Sequence, residues 1–157
     1  MSPEIKLAQI LLKKKLTLGT AESCTGGRMA GLITSVPGSS AYFNGGIVSY
    51  SNEIKHSLLG VSQSDLDSYG AVSEQVVVQM SKGARQALKS DCAIATSGIA
   101  GPDGGTPDKP VGTVWIAVSY KETTAARRFQ FSGNREENML SSANSGINML
   151  LDLVSEI

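Results

Sequence analysis

One short stretch of this chain brings together a hydroxyl, a phenol and an amine. Ser40 follows a Pro37-Gly38 turn, Tyr50 ends the apolar run Ile47-Val48, and Lys55 falls in the first turn of a helix for which Asn52 offers an N-cap. The three groups therefore sit at the two ends of one predicted strand. Together they can perform acyl transfer without histidine: an alcohol as nucleophile, an amine as base, and a phenol to relay the proton or bind a developing oxyanion. A lysine near its ordinary pKa is charged at neutral pH and cannot accept a proton. The helix dipole contributes roughly 0.3–1 kcal/mol, less than one pKa unit, so desolvation has to supply most of the shift that frees the amine. The same residues also have a purely structural reading as a surface lysine, a capping serine and a tyrosine at the edge of the core.

Two further nucleophiles compete with Ser40. Ser23 lies at a predicted strand end just before glycines, and Cys24 lies close to a helix N-terminus, which lowers a thiol pKa. No histidine is near Cys24 in sequence, and a small buried hydrophobe is its plainer role. His56 is the single histidine; on a helix it would face about 100° away from Lys55, on the surface. One histidine argues against a multi-histidine metal site, and Asp103 and Asp108 in one loop do not define an oxygen-ligand site.

Glycine-bearing turns adjoin the predicted strands at Thr25-Gly26-Gly27, at Gly45-Gly46, and from Ser97-Gly98 through Gly101 to Gly104-Gly105. The first opens a helix, where free N–H groups attract an anion, and glycine admits a phosphate close to the backbone. Tight turns alone would account for any one of them; recurring after strands, with Ser and Thr beside them, they point to a bound phosphate or carboxylate. Neither GxxxxGK[ST] nor GxGxxG occurs, which argues against a phosphoryl-transfer ATPase and a dinucleotide site.

The elements that must position these groups follow from caps and periodicity. Ser2-Pro3-Glu4 starts a helix whose Ile5, Ala8, Leu11 and Leu12 recur at helical spacing. Leu16–Ala21 reads as a buried strand, and Met29, Leu32 and Ile33 mark a helix that stops before Pro37. Short helices follow around Lys55 and over Ser62–Tyr69; Ser73-Glu74 caps a longer one with an apolar stripe from Val76 to Leu88. Cys92–Thr96 is a buried strand, a loop runs from Gly98 to Pro110, Val111–Tyr120 and Ala125–Phe131 form a hairpin, and Asn134 caps the final helix. Early alternation of helices and strands with a late hairpin predicts a three-layer α/β/α domain around a mixed, mostly parallel sheet, occupying residues 1–157 as one unit.

Composition narrows the function classes. The 157 residues carry 14 basic and 14 acidic side chains, which gives no overall electrostatic footprint for nucleic acid or a membrane surface. Aromatics are 5% of the chain, so the core must be built from aliphatic residues, alanine and methionine. No apolar run approaches the roughly 20 residues that cross a bilayer. Cys24 and Cys92 read as reduced thiols, consistent with a cytoplasmic location. A homodimer is the expected oligomer for a small α/β enzyme.

TAESCTGG (Thr20–Gly27), PGSS followed by GGIVSYSNEIK, GAVSEQVV (Gly70–Val77), and SGIAGPDGG with KPVGTVWIA (Ser97–Ala117) together resemble the CinA C-terminal domain family, over about residues 5 to 155. The resemblance implies a standalone nicotinamide mononucleotide deamidase that yields nicotinate mononucleotide and ammonia with no metal or cofactor. It also implies a serine/lysine system with a tyrosine between them in sequence, matching Ser40, Tyr50 and Lys55, with Ser23 the other candidate nucleophile. The substrate phosphate is then expected on Gly26-Gly27 or on the Gly98–Gly105 loop, with Arg28 or Arg135. Two rivals stand beside this expectation: a nucleotide-binding module without chemistry, and an amidase using Cys24.

Overall fold

The structure, a computed structural model, describes residues 1–157. Its centre is a five-stranded sheet in the order β2-β1-β3-β4-β5: β1 (Leu18–Glu22), β2 (Phe43–Val48), β3 (Cys92–Gly98), β4 (Thr113–Tyr120) and β5 (Thr123–Gln130). β1 pairs in parallel with both β2 and β3, and the β3–β4 and β4–β5 pairs are antiparallel, so β4 alone runs against the others. The expected mixed α/β/α architecture is what forms.

Each layer follows from the local pattern. β1 is buried along its whole length and β3 nearly so, as central strands covered on both faces must be. β5 is an edge strand in which exposed and half-buried residues largely alternate. On one face lie α1 (Pro3–Lys14), α2 (Arg28–Thr34) and α6 (Arg135–Ser155), whose Leu7, Leu11, Met29, Ile147 and Leu150 pack with Ile94 and Ile116. On the other lie α3 (Asn52–Leu59), α4 (Gln63–Tyr69) and α5 (Glu74–Leu88), which bury Leu59, Leu66, Val76, Val77 and Met80 against Ala93 and Ala95. Neighbouring strand residues thus feed opposite cores, the period of two expected of a strand. Caps close the helices: Ser73 accepts from the Val76 N–H, and Asn134 forms a capping box with Glu137. At α3 the cap is Ser51, not Asn52, because the Ser51 hydroxyl oxygen accepts the Ile54 N–H.

The connections decide where a ligand can enter. From β1 the chain turns to α2 on one face; from β2, its neighbour, it turns to α3 on the other. Loops that diverge from adjacent parallel strands open a crevice beyond the carboxyl ends, where open α/β sheets bind ligands. The register sets Glu22 opposite Val48, so Ser23 and Ser49 emerge side by side at that crevice.

α3 is held in place by a close approach to α5. A Cβ at Gly83 would run into the Leu59 carbonyl oxygen, a backbone atom that cannot swing aside. Gly83→Ala is expected to destabilise the protein by about 1–3 kcal/mol, read as a lowered thermal midpoint; an unchanged midpoint would show that α3 can move away from α5 freely.

Candidate active site

Lys55 is the largest fully buried side chain in the molecule, only 1% exposed although it is a lysine. Its Nζ lies 3.0 Å from Ser23 Oγ, 2.8 Å from the Ser49 carbonyl oxygen and 3.2 Å from the Tyr50 carbonyl oxygen. No carboxylate pairs with it; the one salt bridge in the protein joins Arg28 to Glu136 at 2.8 Å. Burial without a counter-ion penalises the charged form, and desolvation lowers the Lys55 pKa from 10.5 to about 8. Hydrogen-bond chemistry then dictates the orientation of the amine. The two carbonyl oxygens can only accept, so they take both N–H protons of a neutral amine, leaving the lone pair for the Ser23 hydroxyl.

The serine that meets Lys55 is Ser23, whereas Ser40, expected there from sequence, is exposed in a single helical turn (Ser39–Ala41) ahead of β2. Six strand residues separate that turn from the end where Tyr50 and Lys55 sit, a length of roughly 20 Å at the rise of an extended chain. Tyr50 lies at the crevice, but its phenol is exposed and its hydroxyl oxygen accepts from Arg135 at 3.3 Å. Tyr50 reaches the amine through its carbonyl. Cys24 is buried beside Ser23, and burial pushes its thiol up to about 12, so it stays protonated. His56 is exposed, as its helical offset from Lys55 requires.

Ser23, Cys24, Tyr50 and Lys55 line a cleft of about 310 Å³. Of the residues expected to bind substrate, Ser23, Ser97, Gly98, Gly101, Gly104 and Arg135 line it. Thr25, Gly26, Gly27, Arg28, Gly45, Gly46 and Gly105 do not. Physical reasons account for most of these exclusions. Gly46 makes room for Thr20 Oγ1 within the sheet. Arg28 is held by both oxygens of Glu136. The start of α2 is already filled: the Glu22 carboxylate accepts the N–H groups of Gly27 (3.1 Å), Met29 (3.0 Å) and Ala30 (3.0 Å) and the Thr25 hydroxyl (2.5 Å). No N–H is left there for an external anion.

The second glycine turn is different. The N–H groups of Ala100, Gly101, Asp103, Gly104 and Gly105 donate to no acceptor in the protein. Arg135, at the first position of α6, bonds the Gly101 carbonyl oxygen at 2.8 Å and overhangs the same loop. Sequence reasoning missed Glu22, Asn52, Ala71 and Val72, whereas Asp103 lies in the Gly98–Gly105 loop it had singled out. The one available signal was for Glu22, an acid closing an otherwise uncharged buried strand.

A stability measurement tests the buried amine. Between pH 8 and 10.5 the folded state has released the Lys55 proton while the unfolded chain retains it. The unfolded state binds more protons there, so this group raises stability as pH increases across that window. Relative to Lys55→Met, which cannot titrate, the wild type should gain about 3 kcal/mol from pH 7 to pH 10.5 in denaturant unfolding. A constant difference across that range would mean the amine is hydrated.

Comparison with known proteins gives the family. A nicotinamide-nucleotide amidohydrolase, PncC, of Enterobacter agglomerans is 50% identical over 140 residues, covering 88% of this chain and 85% of its own. A CinA-like protein of Amoebophilus asiaticus (strain 5a2) is 47% identical over 133 residues, which is 85% of this chain but 32% of that protein; the chain spans about a third of the length of such CinA-like relatives. The crystal structure of a competence-damaged protein (CinA) superfamily protein from Klebsiella pneumoniae 700603 superposes with a TM-score of 0.95 at 33% identity, covering 99% of this chain and 97% of that one. The model of the CinA C-terminal domain matches residues 2–154, and the chain belongs to that family.

Proposed function

We propose that this protein is an amidohydrolase that deamidates nicotinamide mononucleotide, with Ser23 as nucleophile and Lys55 as general base. The observation that carries this reading is the buried amine without a counter-ion, 3.0 Å from a serine hydroxyl and facing a cleft. The amidohydrolase name of a relative matched over most of both chains supports the substrate.

In this mechanism neutral Lys55 removes the Ser23 proton as Oγ attacks the carboxamide carbon. The tetrahedral oxyanion is met by backbone N–H groups; that of Cys24, next to the nucleophile and lining the cleft, bonds no other residue. Lys55 returns the proton to the leaving nitrogen, the C–N bond breaks, and ammonia departs from an acyl-Ser23 ester. Water attacks that ester with Lys55 again as base, releasing the carboxylate and restoring the serine. The substrate phosphate rests on the unpaired N–H groups between Ala100 and Gly105, with Arg135 supplying charge. Ala71 and Val72 offer an apolar wall for the pyridine ring. Tyr50, bonded to Arg135 at the mouth, orders that arginine in place of relaying a proton.

Ammonia release from nicotinamide mononucleotide tests the assignment. Ser23→Ala should lose turnover by roughly 10³-fold or more, whereas Ser40→Ala should stay near wild type; the reverse pattern would move the nucleophile. A nucleotide-binding module without chemistry would bind the mononucleotide and release no ammonia. Activity should rise with pH and level off above about 8, as Lys55 loses its proton; a profile flat from pH 6 to 9 would remove Lys55 as the base.

A further inference from the structure

Glu22 is the one buried carboxylate in the protein, 1% exposed, and the chemistry above does not use it. Its carboxylate holds four donors on the Ser23–Ala30 segment. The bonds have a direction: an ionised carboxylate only accepts, so Thr25 donates its hydroxyl to Glu22 and must accept from Thr96, whose Oγ1 lies 2.8 Å away. Thr96 in turn belongs to β3, whose carbonyl oxygen at that residue accepts the Ser23 N–H at 3.1 Å. Ser23 is therefore clamped from both sides, by β3 and by the turn that Glu22 organises.

The main chain of Glu22 does a second job. Its carbonyl oxygen accepts the Ser49 N–H at 2.7 Å and the Ser49 hydroxyl at 3.1 Å. Ser49 then offers its own carbonyl oxygen to Lys55 Nζ. One residue thus fixes the turn that carries the alcohol and the backbone that cradles the amine. Its negative charge is directed into the α2 N-terminus, away from Lys55, where an ion pair would keep the amine protonated.

We propose that Glu22 is a positioning residue for the Ser23–Lys55 pair: its carboxylate sets the Ser23 hydroxyl against the amine and keeps a second buried charge off Lys55. Resting on the assignment of Ser23 as nucleophile, the proposal extends it to a group that touches no substrate. In Glu22→Gln the amide nitrogen would face the Ala30 N–H, donor against donor, and the turn must shift to relieve this. Displacement of a reacting atom by about 1 Å costs on the order of 10²-fold in rate.

The test is the rate at which a fluorophosphonate labels Ser23, followed by mass spectrometry from pH 6 to 10. It compares wild type, Glu22→Gln and Thr25→Val, each assayed well below its own unfolding temperature. Wild type should label at Ser23 along a curve set by the lysine. Glu22→Gln should label roughly 10–100-fold more slowly or with a displaced pH midpoint, and Thr25→Val, which removes one donor but keeps side-chain shape, should show a smaller loss in the same direction. A role in stability alone would lower the unfolding temperature of both variants and leave labelling rate and midpoint unchanged, which would overturn the proposal. Should Glu22→Gln not fold, the Thr25→Val comparison decides the matter alone. Absence of Ser23 labelling in the wild type would remove the nucleophile assignment itself, and this proposal with it.

Discussion

The burial of one amine among oxygens that can only accept hydrogen bonds is the constraint on which the site depends. Desolvation of an ammonium is tolerated only when something balances it, and proteins ordinarily supply a carboxylate. Lys55 has none; it has two carbonyl oxygens and a hydroxyl. That environment suits a neutral amine, whose two protons are taken and whose lone pair is left over. The cost in stability at neutral pH and the capacity to accept a proton share one cause, so the site cannot keep the second without the first.

Everything around Lys55 serves to hold that environment still. The Ser49 N–H and hydroxyl are tied to the end of β1, the Ser51 hydroxyl caps α3, and α3 packs on α5 through a glycine contact that admits no side chain. Acid and base are both buried at the crevice, yet each is satisfied separately. Glu22 is satisfied by helix amides and a hydroxyl, and Lys55 by carbonyl oxygens and a hydroxyl, with burial lowering its pKa to about 8. Had the two been allowed to pair, the amine would have been held in its charged form.

Backbone donors divide the crevice in the same way. The first turn of α2 has spent its N–H groups on Glu22, whereas the N–H groups of Ala100 to Gly105, beside Arg135, donate to no acceptor in the protein. Under the proposed function, the Ser23–Lys55 end and the Ala100–Gly105 end of a cleft of about 310 Å³ would receive the amide and the phosphate of one small molecule. The same fold recurs in a Klebsiella protein at 33% identity.

Much of this was legible in the chain. Hydrophobic period and capping residues placed the helices, the hairpin and the central strands, because those signals are local: Asn134 and Glu137 need only each other, and the stripe from Val76 to Ala84 needs only a face to bury. Residue chemistry and spacing also singled out Lys55, which is the buried amine of the cleft, and the strand ends as the place to look. Which serine it would meet was not decided locally. Ser40 is nearer in sequence, but parallel pairing aligns strands end to end, so the carboxyl end of β2 lies beside that of β1 and a strand's length from its own beginning. Ser23, thirty-two residues away, becomes the neighbour of Lys55. The use of Glu22 to fill the α2 N-terminus was likewise decided only when a strand and a helix met, since a backbone N–H carries no mark in sequence of the acceptor it will find.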